Sequence, residues 1–125
     1  PDWAVAIDVT AAEDLNDNPV NCMGKGPCLT IKDADTITSP CVNEWIKKTA
    51  KKLGVPLQLE VSELGTTDAL NISVAKGGIP TSVLGVAVRN IHTAASIASV
   101  QDINGAIKIL TALLKRATKD LCFPK

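Results

Sequence analysis

The chain has 125 residues, 46% of them hydrophobic, which suffices for one domain with a core of its own. Thirteen basic side chains balance thirteen acidic ones, so nothing favours nucleic acid or another polyanion as a partner, and with 2% aromatic residues and no tyrosine there is no platform for stacking unpaired bases or sugar rings. No apolar run approaches the roughly 18 residues of a membrane span, and no charged segment followed by an apolar one opens the chain, which points to a soluble, cytoplasmic protein.

Trp3 to Val9 is apolar except for Asp8, which predicts a strand covered on both faces with a carboxylate near its end. A start without methionine, directly in such a strand, is how a chain looks when cut at an internal boundary, so a fragment of a longer protein is expected. Residues 10–26 are rich in Asp, Asn, Gly and Pro and predict a loop. Cys28 to Asp33 alternates, with Leu29 and Ile31 on one face, as a half-buried strand at a sheet edge does.

Ser39 followed by Pro40 reads as a helix start, and Val42, Trp45, Ile46, Thr49, Ala50 and Leu53 recur at three- and four-residue spacing up to Gly54. Lys47, Lys48, Lys51 and Lys52 form the solvated face of this helix. Leu57, Leu59 and Val61 then alternate with Gln58, Glu60 and Ser62, giving another strand. A short helix over residues 69–75 follows, capped by Thr67 or Asp68 and closed by Gly77 and Gly78.

The stretch GGIPTSVLGVAVRNIH, Gly77 to His92, organises the rest. Its run of small and branched residues from Thr81 to Val88 predicts a strand buried on both faces, and the chain's single histidine falls just past that strand's carboxyl end, where ligands and catalytic groups collect in α/β sheets. Residues 93–98 are a connector of small residues. Ser99 and Asp102 are spaced as a capping box, opening a helix with apolar positions at Val100, Ile103, Ile107, Leu110, Leu113, Leu114, Ala117 and Leu121. The alternation of strands and helices predicts an α/β fold, with helices layered around a mainly parallel or mixed sheet, in one domain over residues 1–125.

Cys22, Cys28, Cys41 and Cys122 contain no Cys-x-x-Cys spacing and read as four reduced thiols serving as small apolar or surface residues. Residues able to carry chemistry are few: Asp8, Asp68 and His92. Each has a structural alternative, an Asx turn for Asp8, a helix cap for Asp68 and hydrogen-bonded packing for His92. There is no nucleophile elbow, no glycine-rich phosphate loop and no His-Glu-x-x-His helix. Zinc wants three or four protein ligands, or a bridging carboxylate where two metals share a site, and one histidine with two aspartates falls short. Either a second source of ligands exists or there is no metal.

Six motifs occur in one order: AVAIDVTAAED, MGKGPCLTIKDADTITSP, a helix followed by GVPLQLEV, GTTDA, GGIPTSVLGVAVRNIH and SVQDINGAIKILTALL. Together they make the chain resemble the C-terminal part of the two-metal aminopeptidases of the tetrahedral, or glutamyl, aminopeptidase family, whose members are often labelled cellulases or endoglucanases. The resemblance implies part of a larger α/β/α zinc-peptidase catalytic domain that removes N-terminal residues from peptides with two divalent ions, zinc or cobalt. It matches Asp8 to the aspartate binding one metal and His92 to the histidine binding the other, and leaves Thr67 and Asp68 as substrate contacts. The family's other histidine ligand, its bridging aspartate, its general-base glutamate and the domain through which subunits assemble all lie upstream of Pro1. An intact homo-oligomeric enzyme acting on peptides is therefore implied, with the isolated chain inactive and holding metal weakly or not at all. The chain departs from the family pattern at Thr93-Ala94, where Ser-Pro is common. Two other readings compete: a non-catalytic α/β interaction module completed by another chain, and a metal or redox site built from Cys22, Cys28, Cys41 and His92.

Overall fold

The computed structural model describes residues 1–15, 17, 19–116 and 122. These residues form β1 (Ala4–Ala11), β2 (Cys28–Lys32), α1 (Pro40–Leu53), β3 (Gln58–Val61), α2 (Ala69–Val74), β4 (Thr81–Arg89), β5 (Ile97–Ala98) and α3 (Val100–Lys115), with a 3-10 turn at Ala75–Gly77 between α2 and β4. The expected α/β architecture forms around a mixed sheet in the order β1-β4-β2-β3, with β5 also paired to β4. No helix among the described residues is long and apolar enough to cross a membrane.

The run that predicted a central strand is one. β4 pairs in parallel with β1 from Ala4↔Thr81 to Ala11↔Val88. Its other edge is shared by β2, antiparallel through Leu29↔Leu84, and by β5, antiparallel through Val88↔Ala98. Residues Thr81 to Gly85, Ala87 and Val88 are all buried, which a continuous apolar run makes possible without stranding polar side chains.

Its neighbours differ from expectation in a consistent way. β1, predicted to be covered, is an edge strand with β4 as its only partner among the described residues, and Ile7 and Val9 are 68% and 47% exposed. β2, predicted at an edge, is interior because β3 pairs with its far side, and Cys28, Leu29 and Thr30 are buried. On β3 the alternation is inverted: Leu59 and Val61 face solvent while Glu60 is buried. β5 was not foreseen, since two residues are too few to show a period.

α1 and α3 pack together on one face of the sheet, where Val42, Ile46 and Ala50 of α1 meet Ala106, Ile109 and Leu113 of α3 over Leu29 and Leu84. Pro40 sits in the first turn of α1, and Gly54 ends it in the left-handed conformation at φ 64°, its N–H reaching the carbonyls of Ala50 and Lys51. Lys48, Lys51 and Lys52 are exposed, as expected, while half-buried Lys47 pairs with Glu44. Trp3 meets Trp45 edge to face at 5.0 Å, closing the core beside the start of β1.

α3 docks through a narrower stripe than its apolar residues suggest. Asp102, Gly105, Ala106, Ile109 and Leu113 are buried and Leu110 is half-buried, whereas Val100, Ile103, Ile107 and Leu114 are exposed. The small residue Gly105 explains the choice: a Cβ there would lie 3.1 Å from both Pro27 and Val55, so the helix approaches the loop ahead of β2 along its least bulky line. The predicted apolar positions Ala117 and Leu121 lie outside the described residues.

The capping box is half realised. Ser99 Oγ accepts from the Asp102 N–H at 3.4 Å, but the buried Asp102 carboxylate, in place of the Ser99 N–H, takes the N–H groups of Gly24 and Gly26 at 2.6 and 2.8 Å. This pins the loop between β1 and β2 to the start of α3. Gly26 must be glycine there: its φ is +100° and a Cβ would fall 2.2 Å from the Pro56 carbonyl oxygen. The four-thiol reading is corrected, because Cys41 and Cys122 form a disulfide joining α1 to the chain's far end, while Cys22 and Cys28 are free. Replacing Asp102 by alanine leaves the buried Gly26 amide unpaired and is expected to lower stability by about 2 kcal/mol in urea unfolding, against about 1 kcal/mol for Ser99→Ala.

Candidate functional site

Strand alternation separates two faces. Leu29 and Leu84 point to the helical core, so Thr30, Val83 and Gly85 point the other way. On that second face lies a cavity of about 600 Å³ lined by residues of all four main strands and of the loops that follow each of them. Gly85 forms part of its floor, where a Cβ would stand 3.3 Å from the Asp8 carbonyl oxygen.

Glu60 is the hub of this face. Its carboxylate, 6% exposed, accepts from Thr10 Oγ1 on β1, from Asn21 Nδ2 at 2.9 Å in the loop, and from Thr30 Oγ1 at 2.6 Å on β2. One side chain on β3 thus ties the two edge strands to each other and to the interior. This is why the alternation of β3 inverts: three neighbouring donors make the polar side the inner one. Asp33, just past β2, uses Oδ1 to accept the N–H groups of Asp35 and Thr36 at 3.0 and 2.7 Å, shaping a turn that the Lys32↔Ile37 bridge closes.

The predicted site residues come together in part. Asp8, Thr67 and His92 all line the cavity, while Asp68 does not; it is exposed at the start of α2. The cap is supplied by Thr67, whose Oγ1 accepts from the Ala69 N–H at 3.3 Å, and the Asp68 side chain makes no cap bond. Asp8 is exposed, three residues before the end of β1, with Oδ1 taking the Val9 N–H at 2.7 Å.

His92 reaches the cavity through backbone that few side chains adopt. Asn90 and His92 have φ of 54° and 62°, in the left-handed region. The Asn90 carbonyl holds the turn, accepting from Thr93 Oγ1 at 2.7 Å and Ser96 Oγ at 2.8 Å. Thr93 is thus one of the residues that stabilise the histidine turn. Below it, Arg89 grips Asp14 through two hydrogen bonds, at 2.9 and 3.2 Å, locking the end of β4 to the loop after β1. The hydrogen bond from Arg89 holds the Asp14 carboxyl below its usual range.

Asp8 and His92 supply an oxygen and an imidazole nitrogen, donor types that suit zinc, but two donors fall short of the three or four that a zinc ion takes. Among the described residues no three His, Cys, Asp or Glu side chains converge to hold a metal ion. The Cys/His reading fails on its own terms: Cys41 is bound to Cys122, and burial pushes the Cys28 thiol up to about 12, with Glu60 and Asp102 adding to the rise.

The profile of the M42 glutamyl aminopeptidases matches residues 1–109. The chain belongs to this family. It is 38% identical over 113 residues to a protein of Acetivibrio thermocellus classed by name with the aminopeptidases, covering 88% of this chain and 34% of that one. To the lysyl aminopeptidase of Pyrococcus furiosus it is 34% identical over 118 residues, covering 92% and 33%. An aminopeptidase from the archaeon Desulfurococcus kamchatkensis has the same fold, with a TM-score of 0.91 at 32% identity over 97% of this chain and 36% of that one. The chain therefore spans about a third of the length of the relatives it matches.

Sequence reasoning missed Glu60, Asn21 and Asp33 as cavity residues. The signal available was a carboxylate on one strand with Thr10 and Thr30 on two others, a combination that pattern alone does not register. Glu60→Ala, which strands the buried Asn21 amide and two hydroxyls, is expected to cost about 3 kcal/mol and Glu60→Gln about 1 kcal/mol, read as shifts in the urea midpoint.

Proposed function

We propose that this chain forms one part of a metal-dependent aminopeptidase and provides Asp8 and His92 as ligands of a two-metal site. What carries the reading is that these two residues, drawn from the first strand and from the turn after the central strand, line one cavity in a chain of the M42 family. The remaining ligands and the general-base glutamate come from the rest of the enzyme. Asp8 and His92 would help hold divalent ions, zinc or cobalt, whose chemistry there would be polarisation of the scissile carbonyl and a water nucleophile at neutral pH.

The chain's own residues position the reaction. Asp8, on a strand hydrogen-bonded along its whole length to β4, offers a carboxylate whose backbone has little freedom. His92 is carried by the Asn90–Ser96 turn, whose hydrogen bonds fix its backbone at the cavity. Thr67, at the lip of the cavity and already committed to the α2 cap, offers its backbone and hydroxyl to the peptide. The exposed Ile7 and Val9 of β1 and the outer stripe of α3 are surfaces that the remainder of a homo-oligomeric enzyme covers. The family membership favours this reading over a non-catalytic module.

In the enzyme that carries this chain, Asp8→Asn and His92→Ala are each expected to lower kcat/KM on aminoacyl anilides by more than about 100-fold and to lower bound metal measured by plasma emission. The 125-residue chain alone is expected to show neither turnover nor tightly held metal. Stoichiometric zinc together with aminopeptidase turnover in that isolated chain would refute the proposal.

A further inference from the structure

The turn that carries His92 is the tip of a hairpin with a slight base. β4 and β5 pair through Val88↔Ala98 and Arg89↔Ile97, and both residues of β5 are exposed, so residues 90–96 stand on a very short ribbon. Such a two-stranded ribbon has little stability of its own in water. The Thr93 N–H, Thr93 Oγ1 and Ser96 Oγ all donate to the Asn90 carbonyl, and Asn90 Nδ2 donates to the Ala95 carbonyl. Each of these bonds stays inside the turn. They hold its shape and leave open what holds its place over the cavity.

Arg89, at the base of the turn, supplies that tie. Its Nε and Nη2 donate to the two carboxylate oxygens of Asp14 at 3.2 and 2.9 Å, and the Asp14 side chain is only 15% exposed. Asp14 stands in a loop that is itself anchored. The Ala12 N–H donates to the Val88 carbonyl, the Glu13 N–H to the Asn21 carbonyl, and the Gln58 side chain bonds both the N–H and the carbonyl of Cys22. An exposed ion pair adds little stability, but a two-pronged arginine–carboxylate pair fixes orientation as well as distance. Asp14 lies six residues after Asp8 and Arg89 three before His92, so the fork joins the two segments that carry the proposed ligands. Neither Asp14 nor Arg89 is among the residues that line the cavity, so neither touches an ion or a peptide bound there.

We propose that Arg89 and Asp14 are the positioning pair of the metal site: their fork sets the His92 turn against the segment that follows the Asp8 strand, and so sets the spacing of the two ligands. This rests on the metal-ligand reading above and adds to it the residues that hold the ligands in register.

The test uses the enzyme that carries this chain, stripped of metal and titrated with zinc. Arg89→Met keeps the stem and removes the fork; it is expected to raise the zinc Kd by about 10- to 100-fold, as loss of an outer support of metal ligands does, while the urea midpoint moves little. Arg89→Lys keeps the charge without the fork and is expected to recover only part of the affinity. Because the two residues act as one unit, adding Asp14→Asn to Arg89→Met is expected to cost no more than Arg89→Met alone. In the metal-free enzyme, amide hydrogen exchange over residues 90–96 is expected to quicken in Arg89→Met while that of residues 81–87 stays as in the wild type. At saturating zinc, turnover of aminoacyl anilides is expected to return with KM unchanged. Unchanged zinc affinity in Arg89→Met, a loss of affinity accompanied by faster exchange throughout β4, or additive losses in the double variant overturns the inference while leaving the ligand assignment intact. Wild-type zinc affinity in both Asp8→Asn and His92→Ala overturns the metal-ligand reading and this inference with it.

Discussion

The carboxylate of Glu60 is the interaction on which the functional face depends. It sits on one edge strand, bonds the hydroxyl of the opposite edge strand, and on the way takes donors from the interior strand and from the loop between β1 and β2. A carboxylate buried to this degree is tolerated only when both its oxygens accept hydrogen bonds, and here three donors reach them. Both sheet edges are thereby held over the cavity that Asp8 and His92 line. The same loop is pinned at its far end by Asp102, whose two bonds to Gly24 and Gly26 join it to the start of α3. Two buried carboxylates therefore fix one loop, one from each side of the sheet.

The two faces divide labour along β4. Its even positions, Ser82 and Leu84, serve the helical side, where Leu84 joins the core and Ser82 Oγ donates to Asn43 on α1. Its odd positions, Val83 and Gly85, serve the cavity. A strand can do both only if neither face needs a long polar side chain, and TSVLGVAV, the strand up to its final Arg89, meets that condition. Parallel pairing with β1 then places Asp8 beside Gly85, while the left-handed turn after Arg89 brings His92 back to the same space.

What could be read from the amino acids alone followed from local signals. The apolar run of β4, the Pro40 start and Gly54 stop of α1, and the Ser99 cap of α3 each state their structure within a few residues, and all three hold. The family resemblance carried Asp8 and His92 further than position could, and the two do share a cavity. What escaped depends on partners distant in sequence. Whether β1 or β2 is an edge depends on which strand lies beside it, and the burial of Glu60 depends on Thr10, Asn21 and Thr30, none of them near it in sequence. The Cys41–Cys122 disulfide, 81 residues apart, and the narrow contact stripe of α3 are decided in the same way by tertiary packing. The order of the strands, β1-β4-β2-β3, has no local signature at all.

The account's central claim is that Asp8 and His92 are ligands of one metal site. Anomalous diffraction at the zinc edge from crystals of the zinc-loaded enzyme that carries this chain tests it most directly. The account predicts anomalous peaks in this cavity, with an Asp8 carboxylate oxygen and a His92 ring nitrogen each about 2.0–2.2 Å from a metal ion. Metal peaks placed elsewhere, or in the cavity but out of bonding reach of both residues, would contradict it.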